Sequence, residues 1–173
     1  MTMTGTIAEN PTLAFGDTHR RPPAIHQEAF FPVAPERVYR LLTDSRKFAA
    51  ATDRPATIGA AEGEPFSIFG GYIEGRQIEL VPGRRIVQAW RGADWAPGIF
   101  SIVRFTLIRE EAGTRLTVDH DGYPEGESPM YPSWHEHLEA NWPVFYFNPF
   151  ARYLASYAVA GPAQQIVRAG GEK

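Results

Sequence analysis

Between Phe66 and Asp121 the sequence holds five β-rich runs, and the gaps between them allow only antiparallel neighbours. The runs are Phe66 to Phe69, Tyr72 to Leu80, Arg85 to Trp90, Ile99 to Arg109 and Thr114 to Asp121. Gly70-Gly71, Pro82-Gly83, Ala96-Pro97-Gly98 and Ala112-Gly113 punctuate them. Glycine and proline supply the backbone angles that tight turns require. A parallel pair would need a crossover of roughly a dozen residues, which no gap provides. The chain is therefore expected to build a meander. In its last run Leu116, Val118 and His120 alternate with Thr117 and Asp119, so one sheet face belongs to a core and the other to water.

Helical patterns flank the meander. Ala24 to Phe31 reads as a first strand stopped by Pro32, and Ala34-Pro35-Glu36 then opens a helix with Val38, Leu41 and Leu42 as its apolar stripe. Ser45 is the expected cap of a second short helix through about Ala51, and Pro55 closes the pair. After Asp121, Ser133-Trp134-His135-Glu136 fits a capping box for a short helix through Leu138. Asn141 is the expected cap of a further helix with Pro143 in its first turn. Tyr146, Phe150, Tyr153, Leu154 and Tyr157 form its stripe, and Pro149, inside that stripe, should kink it.

The expected fold is α+β: a curved antiparallel sheet wrapped around a long C-terminal helix, with two short helices after the first strand. One amphipathic helix laid over a bent sheet buries both apolar faces. It also tends to leave a cavity between them. The domain is expected to span residues 24–158, with tails at 1–23 and 159–173.

Composition removes several function classes. Net charge is −3, no basic run exists and the only lysines are Lys47 and Lys173, so nucleic acid is not an expected partner. The absence of cysteine excludes disulfides, zinc thiolates and thiol chemistry. No run has the apolar length of a membrane span, and the first residues lack a signal peptide's basic start and apolar stretch, so a cytoplasmic protein is expected. The aromatic share is high: 11 Phe, 7 Tyr and 4 Trp against 3 Met promise a stiff, bulky interior.

Several motifs recur in order. They are Gly71/Gly75, Leu80/Pro82, Trp90-Arg91, Trp95/Gly98, Gly122-Tyr123-Pro124 and Trp142. With "NWPVFYFNPFARYL", which resembles the family's closing helix, residues 26–157 resemble the homologues of the activator of heat-shock chaperone ATPase (AHSA-type). These belong to the SRPBCC group, also called START-like or Bet v 1-like. The resemblance implies the helix-grip fold already reached from pattern, and chaperone contact as one partner. Eukaryotic members carry a further N-terminal domain that contributes to chaperone engagement, for which a chain of this length is expected to have no room.

The candidate site is drawn from the aromatic set. Some rings pack; the sharper reading has Tyr72, Trp90, Trp142, Phe145 and Tyr146, with His120, lining a cavity for a small apolar or amphipathic ligand. His120 is either a polar handle or general base in that cavity, or a core histidine bonded to a neighbour. A cyclase- or dehydratase-like enzyme would need it. Asp119 and Asp121 read as an acid/base pair or, more simply, as solvated residues. Glu74, Arg76 and Arg104 fall mid-strand; an outward arginine would pair with Glu74 or Glu79. His135 and His137 point to nearly opposite helix sides, so neither a metal nor a cofactor is expected. Ser101 and Ser133 lack a nucleophile elbow. Either a monomer or a homodimer is compatible with these features.

Overall fold

A computed structural model describes residues 22–158. The tails expected at 1–23 and 159–173 thus lie outside the described residues, except for Pro22 and Pro23, as does the side chain of Tyr157. The strands are β1 (Ile25–Phe31), β2 (Ala56–Ile58), β3 (Pro65–Ile68), β4 (Ile73–Val81), β5 (Arg85–Gly92), β6 (Ser101–Glu110) and β7 (Gly113–Asp121). The helices are α1 (Pro35–Thr43), α2 (Ser45–Thr52), α3 (Trp134–Trp142) and α4 (Asn148–Ala158).

Each short connection closes a hairpin. Together the hairpins give an antiparallel sheet ordered β1-β7-β6-β5-β4-β3-β2, with the first strand added beside the last. Its inner face carries Ile86, Trp90, Val103, Phe105, Leu116 and Val118, all buried. Against that face lie Trp142, Tyr146, Phe150 and Leu154 of the C-terminal helix. Phe48 of α2 closes one end, its ring 5.9 Å from Phe150 and 5.6 Å from Tyr146. This is the α+β helix-grip arrangement expected from the pattern.

Local details differ from the sequence expectation. β2 was not anticipated, because three residues are too few to show a period. Asp44, not Ser45, caps α2: its carboxylate accepts from the backbone N–H of Arg46 and Lys47 at 2.9 and 3.0 Å. Ser45 Oγ instead accepts from Ile58 N–H at 2.8 Å and docks β2 against α2. Gly75 faces Trp90 across β4 and β5, and a Cβ there would stand 1.9 Å from the Ala89 carbonyl oxygen, so close packing explains this glycine.

The largest difference lies in the C-terminal helix. It does not break after Leu138, and Asn141 caps nothing: α3 continues through a wide π turn, Pro143–Phe147, into α4. The irregularity expected at Pro149 therefore begins six residues earlier. Two prolines explain it, since each deletes one backbone donor. In the widened turn Asn148 N–H reaches Pro143 O, one residue beyond the usual α-helical partner. Pro143 cannot donate to the Glu139 carbonyl, four residues back; Gln27 Nε2 of β1 donates to that oxygen instead, at 2.7 Å. The helix is thereby fastened to the edge strand of the sheet. Gln27→Leu is expected to cost about 1 kcal/mol and lower Tm by a few degrees, measured by thermal unfolding.

Candidate functional site

The helix does not seal the sheet along its whole length. Beside the π turn a cleft of about 500 Å³ opens to solvent. The sheet side contributes Phe69, Tyr72, Ile73 and Trp90; the helix contributes His137, Leu138, Asn141, Trp142, Phe145 and Tyr146. Pro129 and Met130 come from the loop before α3, and Arg54 and Asp94 complete the polar rim. Met130, Phe145 and Tyr72 are exposed at the mouth, whereas Trp90, Trp142 and Tyr146 are buried at the base.

The base is a block of rings. Trp142 and Tyr146 lie 4.7 Å apart, Trp90 stands 5.1 Å from Trp142, and Trp90 stacks on Tyr146 at 6.0 Å and 28°. Contacts of this kind stabilise beyond the area they bury and leave little rotamer freedom. Phe69 completes the wall from a left-handed backbone (φ 55°), a conformation that disfavours any residue but glycine. Its ring is held within 5.6 Å of Phe48, Phe145 and Tyr146.

Trp90 is also fixed by hydrogen bonds. Its Nε1–H donates to Gln88 Oε1 at 2.9 Å, Gln88 Nε2 donates to Gln77 Oε1 at 3.0 Å, and Gln77 Nε2 donates to Gly59 O at 3.1 Å. Gln77 and Gln88 are cross-strand partners and both are buried. In this low-dielectric setting, bonds in a chain polarise one another and hold the indole at one angle.

The rim is different in character. Asp94 adjoins Tyr72 and His137. Burial, helped by the Asp94 carboxylate, pushes the Tyr72 phenol up to about 12. Burial lowers His137, with Asp94 opposing, so the imidazole favours its neutral form. His137 Nδ1 also lies 3.0 Å from Ser128 Oγ. Burial raises the Tyr146 phenol well above its ordinary value, so it remains a neutral hydroxyl.

Of the six residues picked from sequence, Tyr72, Trp90, Trp142, Phe145 and Tyr146 border this cleft. His120 does not. It is fully buried behind the wall, 5.5 Å from Trp90 and 5.7 Å from Trp142, with Nε2 bonded to Ser101 Oγ at 2.8 Å. Burial lowers its pKa to about 3, leaving a neutral imidazole of weak basicity. Sequence reading missed Arg54, Phe69, Asp94, His137 and Asn141. All but Phe69 are ordinary surface-type residues with no local signal, and the sequence pattern predicts Phe69 as the end of a strand.

The other candidates are engaged elsewhere. Asp119 meets His26 Nδ1 at 2.7 Å. Arg104 pairs with Asp121, not with Glu74 or Glu79, because β6 lies between β5 and β7 and β4 is out of reach. Arg76 donates to the Gly63 carbonyl, and Glu79 binds Arg85 at 3.2 Å. His135 Nδ1 meets the Tyr123 hydroxyl, and its Nε2 lies 3.6 Å from Glu139. Ser133 caps α3. Among the described residues no three His, Cys, Asp or Glu side chains are grouped to hold a metal ion, and no helix is long and apolar enough to cross a membrane.

The family model described as "Activator of Hsp90 ATPase homolog 1-like protein" matches residues 32–155. The chain belongs to this family. It is similar to the human activator of 90 kDa heat shock protein ATPase homolog 1, with 32% identity over 117 residues, covering 68% of this chain and 32% of the human protein. A Dictyostelium discoideum activator is 32% identical over 120 residues, 67% of this chain and 31% of that protein. The chain thus spans about a third of the length of the curated relatives it matches. The same fold occurs in an HSP90 activator from Plasmodium falciparum (TM-score 0.70, 22% identity, 76% of this chain and 96% of that one). It occurs also in an Aha1 dimer from Colwellia psychrerythraea (TM-score 0.58, 20% identity, 72% of this chain and 90% of that one). The family match includes β3–β5, the π turn and most of α4, so every residue lining the cleft lies within the matched range.

Proposed function

We propose that this chain is a binding domain whose cleft takes a small apolar or amphipathic molecule. One observation carries the reading: an open cleft of ligand size, with a rigid aromatic base and its charged side chains, Arg54 and Asp94, at the rim. Sites for small molecules combine these features, the apolar wall supplying affinity and a few polar groups orientation. Incubating the full chain with a mixture of fatty acids and aromatic metabolites, followed by native mass spectrometry, should reveal a retained adduct. Phe145→Ala, at the half-exposed mouth, is expected to weaken that adduct about tenfold while shifting Tm by only a few degrees. An empty protein under every condition sinks the proposal.

A second reading rests on the family. Its named relatives activate the ATPase of a 90 kDa heat-shock protein, which favours chaperone contact by this domain. The exposed apolar rim, with Met130 at 78% and Phe145 at 39% exposure, is a surface such contact can use. Adding the full chain to a 90 kDa heat-shock protein should raise its rate of ATP hydrolysis. No change at saturating concentration disposes of this reading and leaves the first intact.

A further inference from the structure

The two charged side chains that border the cleft, Arg54 and Asp94, form no ion pair with each other among the described residues. Backbone bonds show why. Gly70 N–H donates to Pro55 O at 3.2 Å, which fastens the Arg54–Pro55 segment to the turn that carries Phe69. Ala93 N–H donates to Tyr72 O at 2.8 Å, which fastens Asp94 beside Tyr72. On the helix side the Phe69 ring faces Phe145 at 5.6 Å, whereas Asp94 adjoins His137. His137 and Phe145 are eight residues apart, roughly 12 Å of helix. The cleft is thus polarised along its length: a cation at the Phe145 end, a carboxylate at the His137 end, and Trp90, Trp142 and Tyr146 between them.

The two charges differ in what already meets them. Asp94 has the Tyr72 phenol as a hydrogen-bond partner and the His137 imidazole nearby. The Arg54 side chain, exposed at the rim, has no partner among the described residues. A guanidinium carries its donors in one plane and meets a carboxylate with two parallel bonds. The unmet charge beside the aromatic base is therefore positive. An acid held there keeps contact with water and escapes the cost of burying a charge. A second acid at the far end would face the Asp94 carboxylate and be repelled. Flat rings suit the base, which offers aromatic faces and edges. Resting on the reading of the cleft as a ligand site, we propose that it selects an aromatic monocarboxylic acid, its ring against the Trp90, Trp142 and Tyr146 base and its carboxylate on Arg54.

The test compares 2-naphthoate with the uncharged 2-naphthamide by titration calorimetry on the full chain. Naphthoate is expected to bind about fivefold tighter, the upper end for an ion pair open to water. Arg54→Gln should erase that preference while naphthamide binds as before. The second probe is 2,6-naphthalenedicarboxylate, which should bind more weakly than naphthoate and recover in Asp94→Asn. Equal affinity for naphthoate and naphthamide, a preference that survives Arg54→Gln, or a dicarboxylate that binds as tightly as naphthoate overturns the inference and leaves the cleft reading standing. Failure of every probe to bind removes the cleft reading and the inference with it. Should Arg54→Gln not fold, salt decides on the unaltered protein: the preference for naphthoate must shrink toward none at about 0.5 M sodium chloride, and a preference indifferent to salt overturns the inference.

Discussion

Replacing Gln88 with leucine is expected to cost about 3 kcal/mol, measured by denaturant unfolding, and to loosen the base of the cleft. Leucine matches the volume closely, so the loss is not a packing effect. It strands two buried groups at once: Trp90 Nε1–H loses its acceptor and Gln77 Oε1 loses its donor. Each unpaired buried group costs about 1–3 kcal/mol, and no water-exposed rotamer is open to a Trp90 that is 3% exposed. Gln77→Leu severs the same amide–amide bond, so the double variant should cost clearly less than the sum of the singles. Additive losses would show that the two glutamines act independently. A second readout separates positioning from bulk stability. Trp90 emission should shift in Gln88→Leu under conditions where the protein is still folded, as an indole N–H without an acceptor changes its local field.

That chain of amides marks where sequence reading runs out. The alternation of β7 put Leu116, Val118 and His120 on one face, and the structure places all three inward. The stripe of the last helix was equally readable, because Tyr146, Phe150 and Leu154 repeat at helical spacing and nothing competes with that signal. In β4 the polarity is inverted: Gln77 is buried, while Ile78 is 51% exposed beside a register shift between Gln77 and Glu79. A bulge moves the following side chains relative to the pleat, so apolar alternation misreports them. The Ser133 cap was legible, whereas the caps expected at Ser45 and Asn141 and the continuity of the helix were not. Asn141 has a cap's chemistry, yet a helix already running through Trp134 to Trp142 needs no new start there. The bond that fastens the freed Glu139 carbonyl to the sheet comes from a residue distant in sequence, Gln27, which no local pattern contains. Five cleft residues were found because bulky aromatics near a helix–sheet seam must line whatever space remains. The rim escaped notice because Arg54, Asp94 and His137 come from three separate elements and meet only through the fold.

His120 makes stability depend on acid in a predictable direction. In the unfolded chain its pKa is near 6.5; in the fold burial lowers it to about 3. Between those values the unfolded state binds a proton that the folded state refuses, so stability rises with pH across this window. The contribution is therefore fully present above about pH 6.5 and is lost as pH falls toward 3. The slope is about 1.4 kcal/mol per pH unit, roughly 4–5 kcal/mol over the window. Carboxylates also respond to acid: Arg115 holds Glu28 below its ordinary value, and Glu36, lowered by its own backbone N–H and by Arg109, behaves alike. Both are on the surface, where solvent screens such pairs. Removing His120 alone would strand Ser101, so the informative variant is His120→Leu combined with Ser101→Ala, which deletes the titrating group and its partner together. Denaturant unfolding between pH 3.5 and 7 should then show a shallower acid loss in the double variant than in the unaltered protein. Parallel profiles would mean that His120 takes up its proton within the fold, and the buried wall behind Trp90 and Trp142 would have to admit water. That same opening would give the cleft a deeper floor, so the pH profile also reports whether its inner wall is closed.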